Sequence, residues 1–359
     1  MDTGQRHILL NVEAFPATFR DVDLGVYFIE CKVPDYSMDV AKTQVLLDNN
    51  LLGITTRNPD AVIQKISWYF GQHPQADISL NPAVAATEQY LSNDWDNAKT
   101  HLEAFEKAVA KFRIFEAGHM LNLLRTVAGK EADTMQQVGI LFCYLTVLKH
   151  LYAEKPEKGG DLLNTWVELF RQDIPRIQTI YMFGSLFLLS RMQRQLRFAR
   201  QESLIAEYAD KFMALRKKEK GDFTRWLRNR ACDILPFILA PTLSIEKYGG
   251  YSSRVVIATN DEVVGECIGR LFAWGGEQQK NDRWTLVPMF HVLDQRDERV
   301  CQGIEQIYQG IASERASNDE EKKLRLRNLI QISMEMVGVD LRAHLHQALS
   351  AYRIYDMLV

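Results

Sequence analysis

Twelve basic side chains fall between Phe187 and Arg230: Arg191, Arg194, Arg197, Arg200, Lys211, Arg216, Lys217, Lys218, Lys220, Arg225, Arg228 and Arg230. Five acids stand among them: Glu202, Glu207, Asp210, Glu219 and Asp222. The segment therefore carries +7, and because the whole chain carries −3, the remainder carries −10. A basic block inside an acidic protein is a polarised field, suited to a polyanion or to an acidic partner. On a helix advancing by about 100° per residue from Arg191, Arg194, Arg197 and Arg200 fall near 300°, 240° and 180°. The apolar Leu188, Leu189, Met192, Leu196 and Ala199 fall on the opposite half. All four positions are arginine rather than lysine, which favours bidentate contacts to phosphate. The same pattern also describes an ordinary solvated helix face, or a surface for a partner protein.

A second basic feature follows in Lys247-Tyr-Gly-Gly-Tyr-Ser-Ser-Arg254. Tyr251 can stack on a base, Arg254 can meet a phosphate, and the glycines free the backbone N–H groups to approach one. A plain turn is the alternative. The candidate RNA-binding set is therefore Arg191, Arg194, Arg197, Arg200, Lys211, Arg216, Lys217, Arg225, Arg228, Tyr251 and Arg254.

Catalytic patterns are weak by comparison. Glu116 and His119 form one Glu-x-x-His pair, but a di-iron bundle needs two such pairs and two further glutamates. His344 and His346 would point about 200° apart on a helix, which is poor ligand geometry. Ala128-Gly-Lys130 lacks the upstream glycine and the following hydroxyl of a phosphate loop and reads as a helix end. Gly265 and Gly269, four apart, read as close packing. No nucleophile elbow, zincin or dinucleotide-binding motif occurs. The five cysteines are scattered, with no Cys-x-x-Cys pair, as suits core residues in a reducing compartment. No enzymatic activity, cofactor or metal is expected.

The elements that would carry these residues read as mainly helical. At 47% hydrophobic and 25% charged, the 359 residues can fill two cores. The longest apolar runs, Val138–Leu148 and Ile180–Leu189, are well short of the roughly 20 residues that span a bilayer. With no secretory leader pattern at the N-terminus, a soluble, intracellular, cytoplasmic protein is expected. Residues 7–33 carry strand-favouring runs, Ile8-Leu-Leu10 and Val26-Tyr-Phe-Ile29, and read as two strands or an extended arm. From residue 36 the spacing turns helical, with Val40, Val45, Leu46 and Leu47 suggesting one helix. Asp60 begins another, and Pro82 sits where a helix opens after Asn81. Further helices are expected over 93–126 with a break near Gly118, over 131–153, after Asp161, over 184–219, over 296–314 and over 319–358. Gly249-Gly250 and Gly275-Gly276 mark loops. The expected division is an extended arm at 1–35, a helical lobe at 36–235 and a second helical lobe with its tail at 236–359.

In this organisation the chain resembles the nucleoproteins of negative-strand RNA viruses. The resemblance rests on an extended N-terminal region, on the apolar-to-basic stretch Ile180 to Arg200, and on the segment Tyr248 to Arg254 between two lobes. It implies a basic interlobe cleft that encapsidates single-stranded viral RNA, and terminal arms that join copies into a homo-oligomer, within a ribonucleoprotein. The chain's acidity and modest length depart from that pattern. The alternative reading is a helical protein-interaction scaffold with no nucleic-acid role.

Overall fold

The computed structural model describes residues 8–9, 18–31, 42–70, 77–92, 95–112, 117–155, 159–198, 202–245, 253–271, 274–278, 284–288, 298–309 and 318–358. In chain order the first elements are β1 (Ile8–Leu9), β2 (Thr18–Asp21), β3 (Val26–Cys31), β4 (Lys42–Leu47), α1 (Asn49–Arg57), α2 (Pro59–Phe70), β5 (Asp77–Asn81), α3 (Ala83–Ser92), α4 (Trp95–Val109) and α5 (His119–Gly129). The middle is helical: α6 (Glu131–Ala153), α7 (Gly159–Arg171), α8 (Gln178–Met192), α9 (Ile205–Met213) and α10 (Phe223–Ile245). Then follow β6 (Ser253–Thr259), α11 (Gly269–Leu271), β7 (Trp274–Gln278), β8 (Trp284–Pro288), α12 (Glu298–Gln309), α13 (Asp319–Met336) and α14 (Val339–Ala351). The protein is mainly α-helical, with strands concentrated towards its N-terminus.

Two compact units share the chain: Met1–Gly129 with Leu235–Met289, and Lys130–Ile234 with Phe290–Val359. This differs from lobes split at residue 235 of a linear chain. The reason lies in the first unit's main sheet, of order β2-β3-β6-β4-β5. β6 comes from the far half of the sequence, yet it lies antiparallel to β3, with Phe28 opposite Ala258, and parallel to β4, with Val45 opposite Val256. Neither β3 nor β4 can satisfy its backbone without it.

Both faces of this sheet are covered. Val26 and Phe28 point into a core with Leu51, Val62, Ile66, Phe105 and Leu124. Tyr27 and Ile29 point the other way, where a Cβ on Gly265 would lie 2.2 Å from the Tyr27 ring and one on Gly269 2.7 Å from Ile29. The two glycines four apart thus serve close packing, against a strand, on the π-helical turn Val264–Ile268 and the first residue of α11. Burial on both faces also explains why Val45-Leu46-Leu47 does not form the expected helix. A parallel interior strand reads as a continuous apolar run, with no alternation to betray it. Likewise Gly275-Gly276 is no loop but the middle of β7, between β1 and β8 in a second, three-stranded sheet.

In the second unit α6 is apolar on every side, and Val138 through Leu148 are all buried, as befits a central helix. α7 and α8 meet at Gly184, where a Cβ would lie 2.3 Å from the Trp166 ring; Trp166 Nε1 donates to the Tyr181 carbonyl at 3.0 Å. Residues 319–358 are not one helix: α13 ends at Met336, and Gly338 caps α14. Past α14 the chain turns at Arg353, whose φ is 55°. Tyr352 packs edge-on against Phe142 at 5.2 Å, and fully buried Ile354 sits over Gly139.

The described terminal elements make contacts inside their own units. The described strands of residues 8–31 pair within their own unit, and the tail's apolar side chains Tyr352 and Ile354 pack within theirs. Among the described residues no helix is long and apolar enough to cross a membrane.

Candidate nucleic-acid interface

The arginine helix does not exist as such. α8 ends at Met192, and Gln193 donates its N–H to the Leu189 carbonyl at 2.9 Å as the chain leaves the helix. No glycine or proline stops it; the cause is Leu196 and Phe198. On a continued helix these two would lie about 200° apart. In the observed irregular backbone both are buried, at 4% and 2% exposure. Burial of two large apolar side chains, about 1.5–3 kcal/mol each, outweighs the helical hydrogen bonds given up.

The arginines of this turn are consequently spent close to home. Arg191, half-buried in the last turn of α8, lays its guanidinium over the Tyr152 ring at 5.2 Å and donates from Nη2 to the Glu154 carbonyl at 3.3 Å. Arg194 donates from Nη2 to Asp210 Oδ2 at 3.0 Å, and Tyr152 donates its hydroxyl to Asp210 Oδ1 at 2.6 Å. Burial works to raise the Asp210 pKa, but the Tyr152 and Arg194 hydrogen bonds win and hold it below the usual carboxylate range. Arg197 is half-buried. Arg200 lies outside the described residues, as does Tyr251. Arg254 is not in a loop: it lies in β6 opposite Thr43, in the other unit. Arg191, Arg194 and Arg197 thus do not share one helical face.

The remaining candidates lie on α9, α10 and the connection between them. Lys211 is exposed on α9, its Nζ 5.6 Å from the Tyr208 ring. Arg216 opens a single 3₁₀ turn, Lys217–Glu219. Glu219 accepts from the Arg216 N–H at 2.8 Å with one oxygen and from Asn229 Nδ2 at 2.8 Å with the other. Its exposure is 1%. Arg216, Lys217 and Lys220 are exposed around it. Gly221, at φ +83°, then reverses the chain, and Asp222 caps α10 by accepting from the Arg225 N–H at 2.9 Å. Arg225 stays exposed, with Nε 3.7 Å from Asp222. Arg228 is half-buried and hydrogen-bonds Tyr352.

The result is a short basic rim, Lys211, Arg216, Lys217, Lys220 and Arg225, from which one acid has been removed into the core. Sequence reasoning placed Arg216 and Lys217 in the interface but could not see that Glu219 turns inward. The signal that hints at it is Arg216-x-x-Glu219, three apart, in which the acid can reach back to the first residue's N–H as in a capping box.

His344 stacks on Phe223 at 5.3 Å, and His346 lies 5.3 Å from Tyr355. Glu116 lies outside the described residues, among which no three metal-binding side chains cluster. Models of protein families, curated proteins and solved structures contain no match to the chain.

Proposed function

We propose that this protein binds single-stranded RNA without reading its sequence, as a nucleocapsid-type protein, and that the contact is the rim from Lys211 to Arg225 rather than an arginine helix. One observation carries the reading. In Arg216-Lys-Lys-Glu-Lys220 the lone acid is buried while Arg216, Lys217 and Lys220 face solvent, so the exposed charge of the turn is positive. Closely spaced cations repel one another, a cost that a phosphate backbone removes with release of counterions. The backbone of such an RNA is the same at every nucleotide, which is why no sequence preference is expected.

The test is binding of a labelled oligouridylate to nucleic-acid-free protein, titrated at several salt concentrations. The reading expects log affinity to fall linearly with log salt, by roughly 0.7 per neutralised phosphate. An affinity unchanged between low and moderate salt would refute it.

The scaffold reading draws on a different place. Trp68 is 62% exposed on α2, and Val22 is 81% exposed in the β2–β3 turn. Large apolar side chains in water often mark protein contacts. Pull-down of a discrete protein, with no nucleic acid in the preparation, would favour it.

A further inference from the structure

Beneath the basic rim lies a group of cationic and N–H donors that the proposed RNA contact does not use. Trp226 and Arg230 stand four apart on α10, so their side chains share one face of the helix. Both are fully buried. The Lys149 ammonium, from α6, lies 5.2 Å from the centre of the Trp226 ring and donates to the Met213 carbonyl. The Arg230 guanidinium lies 4.8 Å over the Phe212 ring and donates from Nη1 to Asp233 at 2.6 Å.

What remains is donors without acceptors. Trp226 Nε1, Arg230 Nε and Arg230 Nη2 are all buried, and none has a hydrogen-bond partner among the described residues. A buried donor left unpaired costs about 1–3 kcal/mol, so three in one turn of helix call for an acceptor. The carboxylates nearby are engaged: Glu219 through Asn229 and the Arg216 N–H, and Asp233 through Nη1. Burial first, and the Arg230 charge second, hold the Lys149 pKa below its ordinary value against the opposing pull of Glu219.

We propose that Trp226, Arg230 and Lys149 form an internal binding site for one small monoanion of halide type. The chemistry selects the ligand. Water must donate two protons as well as accept, and here the unmet groups are donors. A dianion such as sulfate would bring a second charge close to Glu219 and Asp233, whose charges already offset the two cations. A spherical monoanion accepts from several directions and needs no acceptor in return. The site is independent of RNA, and it braces α10 against α6 below the rim.

The experiment uses the full chain, stripped of nucleic acid. Its melting temperature is followed while sodium gluconate is replaced stepwise by sodium chloride, and separately by sodium bromide, at constant ionic strength. Gluconate, a bulky organic anion, serves as the reference salt. The proposal expects a saturable rise, with the folded-to-unfolded ratio about elevenfold higher at ten times the dissociation constant. Arg230→Met should abolish the rise. If that variant does not fold, Trp226→Phe decides instead: it keeps an aromatic ring but loses the N–H, and should shift half-saturation to several-fold higher chloride. Lys217→Gln/Lys220→Gln should keep the full chloride response, since those side chains lie outside the site. Equal melting temperatures in all three salts would overturn the proposal. So would a response that survives in Trp226→Phe unchanged, or one lost in the Lys217/Lys220 variant, which would place the anion on the rim.

Discussion

Two stretches of this protein are rich in arginine and lysine, and they use that charge in opposite ways. In the turn after α8, Arg191 covers a tyrosine ring and a carbonyl, and Arg194 is tied to Asp210. Its cations hold α6, α8 and α9 together. In the turn before α10 the acid goes inside instead, and three cations stay out. The difference shows that a segment's net charge, +7 over both turns, says little about the charge a ligand meets. What decides is the side of the surface on which the few acids lie. The first turn is fastened by its charges; the second displays them.

The largest effect expected from this contrast is on RNA affinity. Replacing Arg216, Lys217 and Lys220 together by glutamine should weaken RNA binding by roughly tenfold or more at moderate salt. It should also flatten the salt dependence by about 2 in slope, near 0.7 for each phosphate left without its cation. The melting temperature should stay close to that of the parent, since exposed charge changes usually alter stability by no more than about 0.5 kcal/mol each. Parallel filter-binding and thermal melts check both halves.

Glu219→Ala probes the display from beneath. It leaves the Asn229 amide and the Arg216 N–H without their acceptor, at about 1–3 kcal/mol. A lower denaturation midpoint in urea is the expected result, with a smaller loss of RNA affinity than in the triple variant because the cations remain. An unchanged midpoint would show that the buried carboxylate does not hold the turn.

The fastened turn should respond the other way round. Arg194→Gln removes one partner of Asp210 in a half-exposed pair, so a loss of about 0.5–1 kcal/mol in stability is expected, with RNA affinity within about twofold of the parent. A large loss of affinity without loss of stability would reverse the roles of the two turns.

The smallest effect is on pH dependence. Asp210 is held below its ordinary pKa in the folded protein. Its ionised form is therefore the favoured one, and the stability it adds is complete above the unfolded value near 3.8 and is lost as pH falls below it. Asp210→Asn should flatten the lower end of the stability curve, below about pH 4, and leave its shape at neutral pH unchanged. Melts across an acid series detect this.

Much of the helical architecture was legible in the sequence, because amphipathic spacing and caps are local. Asn81 accepts from the Ala83 N–H at 3.0 Å to open α3, the break at Gly118 falls where its φ of 82° requires it, and α6 matches its apolar run almost to the residue. Illegible were the features that depend on distant partners. β4 looks helical until β5 and β6 are set beside it. α8 looks three arginines longer until Leu196 and Phe198 find their core. Of the candidate interface, the exposed cations Lys211, Arg216, Lys217 and Arg225 were visible as residue types. The inward turn of Glu219 was hinted at only by its spacing from Arg216, because its second partner, the Asn229 amide, lies ten residues on.

The most direct test of the central claim is photo-crosslinking of 4-thiouridine-substituted single-stranded RNA to the intact protein, with the adducts mapped by mass spectrometry of the digested chain. The account predicts adducts within residues 211–225 and none on 191–198. Adducts concentrated on 191–198, or an absence of adducts from 211–225 under conditions where RNA is bound, would contradict it.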